Sequence, residues 1–413
     1  MTASNEISSL SSFRFFSGSP LILRTLGAAF LLFGGVTSTA SASPVLRFDR
    51  LTPPSALKAE ADHGVTRLVW EPAPGATGYR IYYAAPKQST FAQIAESTET
   101  NYIDRAEITS SPSELGALHR YAVSAVYPGG RESSRTRAIT ALRLVRPWGL
   151  AVSPSGQSYL RDSAFDQTIL QKPNRPDFEM AGPRQLSFEG SPDIALDSAG
   201  RVLSVKWGNE ASPLSGFCVQ DRALKLVVDY RREEGSEPGQ VRKPMGIAAN
   251  SRGHIFIADT GNDRVQEFTP TGKFVQVIGK GELMQPMKTA FDRQDNLYVA
   301  DSANNRIAVY APQPSGEYKL VRSLTGGIKE PCCVLVDERG RVFVSTNRVA
   351  GIALLDSKGA PLWKYEGTHD APLASPRGLA FDGKGNLLVV DAAARKIVTL
   401  KIPELPASAP TTK

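Results

Sequence analysis

Residues 244–259 read PMGIAANSRGHIFIAD, from Pro244 to Asp259. Two short apolar runs flank a polar turn. Gly246–Ala249 forms the first run and His254–Ala258 the second. Asn250-Ser251-Arg252-Gly253 lies between them, with a glycine where the chain must turn back. Asp259 closes the second run, and the residues beyond continue the same rhythm. Thr260–Arg264 is rich in turn formers, Val265–Phe268 is a third apolar run, Pro270-Thr271-Gly272 turns the chain, and Phe274–Ile278 is a fourth run. Runs of about five residues separated by tight turns predict four antiparallel strands.

The sixteen-residue phrase recurs six times, starting at Pro147, Ser191, Pro244, Pro286, Pro331 and Pro376, with spacings of 44, 53, 42, 45 and 45 residues. The fourth copy tracks the third closely through Leu297–Asp301 and Asn304-Asn305-Arg306-Ile307. The turn glycine persists as Gly156, Gly200, Gly340 and Gly385. A period of roughly 40–45 residues with four strands per unit predicts the blades of a β-propeller. The last copy has a third strand at Lys396–Lys401 and no fourth. The β-type stretch Ile139–Val145 is therefore expected to complete the last blade and close the ring.

The 413 residues leave room for more than a ring. Residues from about 52 to 142 read as a small all-β unit with strands at regular spacing, and Tyr121, Val123 and Ala125 share one face of a strand, the predicted core face. Upstream, Arg14 and Arg24 precede the apolar Leu26–Val36, and Ala40-Ser41-Ala42 has the small-x-small form of a signal-peptidase site. An export signal over 1–42, cleaved after Ala42, follows; the destination is the periplasm, the cell surface or the exterior. The mature chain holds no other apolar run able to cross a membrane. Cys218, Cys332 and Cys333 are too few for a disulfide framework. The net charge of +7 is spread along the chain, and the five arginines between Arg131 and Arg146 read as a solvated strand and linker. No nucleic-acid partner is expected.

Two resemblances follow from particular residues. Leu68-x-Trp70-x-Pro72, Gly78-Tyr79-x-Ile81-Tyr82, Leu115 six residues before Tyr121, and Gly130-x-Glu132-Ser133 resemble a fibronectin type III domain. Pro-x-Gly-Ile-Ala, then Ala-Asp-Thr/Ser, then Asn-Asp/Asn-Arg-Val/Ile resembles the NHL repeat. The resulting architecture is all-β: a signal peptide at 1–42, a fibronectin type III-like β-sandwich at 43–137, a six-bladed NHL-like β-propeller at 138–403 and a disordered tail at 404–413.

Function is sought where the copies disagree, because a residue repeated in every blade builds the blade. Asp162, Asp259, Asp301 and Asp391, with Arg264, Arg306 and Arg395 following, read as turn caps and local ion pairs. Position two of each copy is expected near the mouth of the central tunnel. There the candidates are Trp148, Met245, Met287, Cys332 and Arg377, with Pro192 in the second copy, and Cys333 stands where a glycine is usual. Met245, Met287, Cys332 and Cys333 offer either a rim for a soft metal, a redox partner or an apolar ligand, or inert packing, and packing is the favoured reading. A vicinal disulfide between Cys332 and Cys333 is geometrically awkward. Propellers similar to this one include metal-dependent lyases and lactone hydrolases. A zinc site needs convergent histidines, whereas His254 and His369 are expected to lie apart. A carboxylate-ligated calcium site from Asp193, Glu210, Asp259 and Asp301 stays open. No cofactor is predicted, with calcium or zinc at the tunnel mouth as the alternative. The reading leans away from catalysis: an exported, monomeric binding or scaffold protein whose propeller face takes a protein, peptide or saccharide.

Overall fold

The computed structural model describes residues 51–62, 65–86, 88–105, 118–164, 168–173, 178–181, 193–208, 213–347, 351–368 and 371–404. The export-signal expectation, Leu115, Pro192, Glu210, His369 and residues 405–413 lie outside them. No helix among the described residues is long and apolar enough to cross a membrane.

The first part of the described chain is two antiparallel sheets. One has three strands in the order Ser55–Asp62, Val65–Glu71, Asn101–Asp104. The other runs Ala92–Ser97, Gly78–Ala84, Leu118–Tyr127, and Leu118–Tyr127 also pairs with both Arg131–Glu132 and Ile139–Leu142. Alternate residues of the two sheets meet in one core of Leu68, Trp70, Tyr79, Ile81, Tyr121, Val123 and Ala125. Trp70 packs edge-on against Tyr79 with centroids 5.3 Å apart. The Tyr121 hydroxyl donates to Asp104 Oδ2 at 2.6 Å, and Arg143 approaches the same carboxylate at 3.7 Å, both side chains buried.

The expectation for Ile139–Val145 is overturned. Ile139–Leu142 does not join the last blade. It pairs with the sandwich from Leu118↔Leu142 to Tyr121↔Ile139, and Ala141 enters the sandwich core. The side chains of Leu142, Leu144 and Val145 reach the propeller, where they pack with Leu150, Leu160, Ile169 and Val390.

The described residues of 147–401 form five four-stranded sheets and a sixth of three strands, each in plain chain order from its first strand outward, besides a two-stranded pair of Gly367–Thr368 with Ala371–Pro372. We number these blades one to six. Their first strands are Pro147–Val152, Ile194–Leu196, Gly246–Ala249, Pro286–Phe291, Pro331–Val336 and Pro376–Phe381. The ring follows from strand alternation. Along the second strand of blade three, Ile255 and Ile257 point toward blade two, and Phe256 points toward blade four. Along that of blade four, Leu297 and Val299 face blade three, and Tyr298 and Ala300 face blade five. Six apolar clusters result, one at each junction between neighbours, including blade six against blade one.

Turn chemistry sets the strand register. Asn250 Oδ1 accepts from the N–H groups of Arg252 and His254, and Gly253 takes a φ of 76°. In the fourth copy Asp295 occupies that left-handed position with a φ of 59°. Gly246 serves packing instead. A Cβ there would sit 2.3 Å from the Met287 carbonyl oxygen and 2.7 Å from Lys288 Cα, so only glycine lets blades three and four approach this closely.

His119 gives the sandwich an acid sensitivity. Its Nδ1 lies 2.8 Å from the Tyr83 hydroxyl, and its buried Nε2 has no hydrogen-bond partner among the described residues. Burial, aided by the Arg143 charge, pulls its pKa down to about 4 from an ordinary 6.5. The unfolded chain therefore binds a proton that the folded chain refuses. Stability falls as pH drops below about 6.5, and the loss is complete below about 4, amounting to about 3 kcal/mol. His119→Phe should flatten that part of the wild-type stability curve in urea unfolding. An unchanged difference between pH 7 and pH 4 would contradict this assignment.

Candidate functional site

The recurrent aspartates at the ends of the second strands are construction elements. Asp259 is fully buried. Its carboxylate accepts from the Arg242 N–H at 2.7 Å, from Asn262 and from Arg264 Nε at 2.8 Å. Arg264 also donates to the carbonyls of Ser236, Glu237 and Gln240, tying the loop from blade two to this corner. Asp301 repeats the arrangement with Met284 N–H, Asn304 and Arg306. Asp162 and Asp391 cap backbone N–H groups in the same way, Asp162 those of Val145, Arg146 and Ala164, and Asp391 those of Ala374, Ser375 and Ala394.

The predicted pairing of Arg395 needs correction. Arg264 and Arg306 stand opposite their aspartates across the ladder, five residues on. Arg395 follows Asp391 by four, so Lys396 takes the opposite position. Arg395 falls instead at the left-handed turn position, φ 53°, that Asp263 and Asn305 occupy in blades three and four.

The copies diverge most tellingly at their third position, which reads Gly149, Asp193, Gly246, Lys288, Cys333 and Gly378. Lys288 of blade four and Asp193, which leads into blade two, make a fully buried ion pair. They belong to blades that are not neighbours. Blade three between them presents Gly246, which has no side chain, and its next N–H, that of Ile247, donates to Asp193 Oδ2 at 3.0 Å. Two side chains from non-adjacent blades meet only on the axial side of the first strands. Burial works against the Lys288 ammonium, yet the Asp193 carboxylate outweighs it and holds its pKa above the usual lysine value. Burial pushes the Asp193 carboxyl up, against the pull of Lys288 and of the Ile247 N–H. The lysine direction governs, because its ammonium touches a carboxylate oxygen, and the pair is ionic.

Of the rim candidates, Arg377 and Trp148 come together, with the guanidinium 4.5 Å from a ring centroid of the indole. Both are half-buried, and they start the first strands of the neighbouring blades six and one. Cys332 lies beside them. Its Sγ is 3.2 Å from the Pro376 carbonyl oxygen and 3.2 Å from Ser345 Oγ. Cys333 packs in the cluster between blades five and six. All three cysteines are buried outside any disulfide, so Cys332 and Cys333 form no vicinal disulfide. Burial raises both thiols, Cys333 to about 12, which keeps them protonated and poorly disposed toward soft metals. Met245 is a buried core residue, and Met287 leans on the cluster between blades four and five. His254 is bound to Glu267 at 2.6 Å. Among the described residues, no group of three or more His, Cys, Asp or Glu side chains is placed to hold a metal. Sequence reading passed over Lys288. Aligning the third position of every copy was the signal that would have found it.

The NHL repeat family model matches residues 242–268. Protein wech of Drosophila melanogaster is 31% identical over 129 residues, covering 30% of this chain and 16% of that protein. The B-box type zinc finger protein ncl-1 of Caenorhabditis elegans is 31% identical over 173 residues, covering 36% and 19%. The chain thus spans less than a fifth of the length of these curated relatives. Among solved structures, a protein of unknown function from Bacteroides thetaiotaomicron covers 83% of this chain and 97% of its own at 14% identity, with a TM-score of 0.48. A streptogramin B lyase covers 78% and 98% at 13% identity, TM-score 0.46. A gluconolactonase from Xanthomonas campestris covers 63% and 87% at 14% identity, TM-score 0.47.

Removing the Lys288 charge should expose the value of the axial pair. In Lys288→Met, Asp193 keeps its burial and loses its cation, which should cost about 3–5 kcal/mol at neutral pH. The lone carboxyl then titrates well above its unfolded pKa. The deficit therefore shrinks as pH falls and the carboxyl takes a proton. Adding Asp193→Asn should recover much of the loss at pH 7. Urea midpoints across pH 4–8 for the two variants check this, and a pH-independent deficit would refute the pairing.

Proposed function

We propose that this chain is an exported, non-catalytic binding protein whose propeller presents its axial end to a protein, peptide or saccharide. One observation carries the reading. The carboxylates Asp193, Asp259 and Asp301 are each engaged by a cation or by backbone N–H groups, whereas the stacked Arg377 and Trp148 remain half exposed. A flat indole beneath a guanidinium offers an apolar surface and a fixed charge together, the combination that anchors binding interfaces.

The sandwich is assigned in the same proposal to the fibronectin type III class. Its sheets run first-second-fifth and fourth-third-sixth in strand order, with Trp70 in the core. Such a module positions the ring relative to its surroundings. Residues 1–42 act as the export signal on the strength of their charge, apolar stretch and small-residue site.

The double variant Trp148→Ala, Arg377→Ala should keep a cooperative thermal transition and lose about tenfold or more in capture of the partner from an envelope extract. Equal capture by wild type and variant would displace the site from the axial end. Stoichiometric calcium or zinc in the purified chain, with lyase or lactonase turnover abolished by chelation, would overturn the non-catalytic reading.

A further inference from the structure

Blade six departs from the other copies at two positions that act together. The residue ahead of its phrase is Ser375, where the other copies have Arg146, Gly190, Lys243, Gln285 and Glu330. Its position two is Arg377, the one charged residue at that position. The buried Asp391 fixes the approach, because its carboxylate accepts from the Ala374 and Ser375 N–H groups at 2.8 and 2.9 Å. Ser375 Oγ then accepts from Arg377 Nε at 3.1 Å. A Cβ at Gly378 would stand 2.4 Å from the Trp148 carbonyl oxygen, so blades six and one approach closely where the guanidinium lies over the indole. Arg264, Arg306 and Arg341 each meet a carboxylate. Among the described residues Arg377 meets this hydroxyl and the indole, and no carboxylate. With Nε engaged and one face stacked, its two Nη groups are the donors left to present. One residue further along the first strands lies the fully buried Lys288–Asp193 pair. It closes the axis, so the mouth above it is a cup with a floor.

We infer that the axial mouth receives the free C-terminal carboxylate of a peptide that ends in an apolar residue. This rests on the reading of the axial end as the binding face, and it narrows the ligand. The paired Nη donors of a guanidinium match the two oxygens of a carboxylate. A floored cup admits a chain end, whereas an Asp or Glu side chain brings backbone that runs on in both directions. Of the two chain ends, the Arg377 cation selects the carboxylate over the ammonium. The apolar requirement comes from the half-buried Trp148 and Met287, an indole and an adaptable thioether at the same level of the ring. The same neighbours disfavour a saccharide, whose hydroxyls would lose water there without gaining partners. Ser375 is the positioning residue: it touches no ligand and holds the guanidinium fork in place.

The test uses the full chain and the peptide dansyl-Gly-Ser-Ala-Val-Phe, made as the free acid and as the C-terminal amide. Fluorescence anisotropy should show the acid binding at least about tenfold more tightly than the amide. Both peptides meet the same wild-type protein, so the folding of a variant does not enter. Arg377→Lys keeps the charge and loses the fork, and should cut the acid-over-amide ratio to about threefold. Ser375→Ala should lower the same ratio while the thermal transition stays cooperative, which a merely structural role for Ser375 would not do. Several results overturn the inference. Equal binding of acid and amide, no binding up to about 1 mM, or a ratio that Arg377→Lys leaves unchanged removes the carboxylate contact. A ratio that Ser375→Ala leaves unchanged removes the positioning role. An amidated peptide with an internal Glu that binds as well as the acid reassigns the site to side-chain carboxylates. Oligogalacturonate binding in place of the acid reassigns it to an acidic saccharide. If the acid fails to bind while Trp148→Ala, Arg377→Ala still loses capture from the envelope extract, this inference falls and the binding face stands. If capture is intact as well, both fall.

Discussion

Everything in the ring depends on the period-two alternation of side chains along its strands. A strand in a two-layer sandwich has one buried face, but here both faces are buried against different neighbours. Ile257 and Phe256 are consecutive residues that serve two separate cores. A single-residue slip in blade three would exchange its contributions to both junctions at once, and isoleucine-sized and phenylalanine-sized spaces are not interchangeable in a close-packed interior. The Asn250 turn and the Asp259–Arg264 corner are therefore register devices at the two ends of one strand. They earn their recurrence in that role, with no chemistry required of them.

Much of this was legible before any coordinates. The phrase at 244–259 carries the turn, the strand pair and the terminal aspartate, and its copies carry the ring. The core face of Tyr121, Val123 and Ala125 is equally plain from alternation. Two features were not legible, for different reasons. Ile139–Leu142 has an alternation that suits either the sandwich or the last blade. Its pairing with Leu118–Tyr121 is decided by which ladder lies nearer in space, something no local pattern encodes. The Asp391 corner was misread because one residue separates Arg395 from Lys396, and in an antiparallel ladder that distance is the difference between facing a partner and sitting in the turn.

The candidate site was half visible. Position two of the copies supplied Trp148 and Arg377, which the structure stacks, along with Met245, Met287 and Cys332, which it places among packing and backbone contacts. Position three held the stronger signal, because blades crowd Gly246 and Gly378 there while three copies carry a side chain. The Gly246 environment shows how little room is available. The two charged residues at such slots, Asp193 and Lys288, meet each other across the glycine-bearing strand.

The Asp193–Lys288 pair makes the six blades distinguishable. A ring of near-identical units has no inherent first member, and its blades could in principle be exchanged, duplicated or joined in another order with every junction still apolar. Here two charges sit one blade apart on either side of a glycine-bearing strand. Any arrangement that separated them would bury an isolated ion at the axis. The pair thus works as an address within the ring: blades two, three and four form an ordered block, and recombination between repeats is tolerated only outside it.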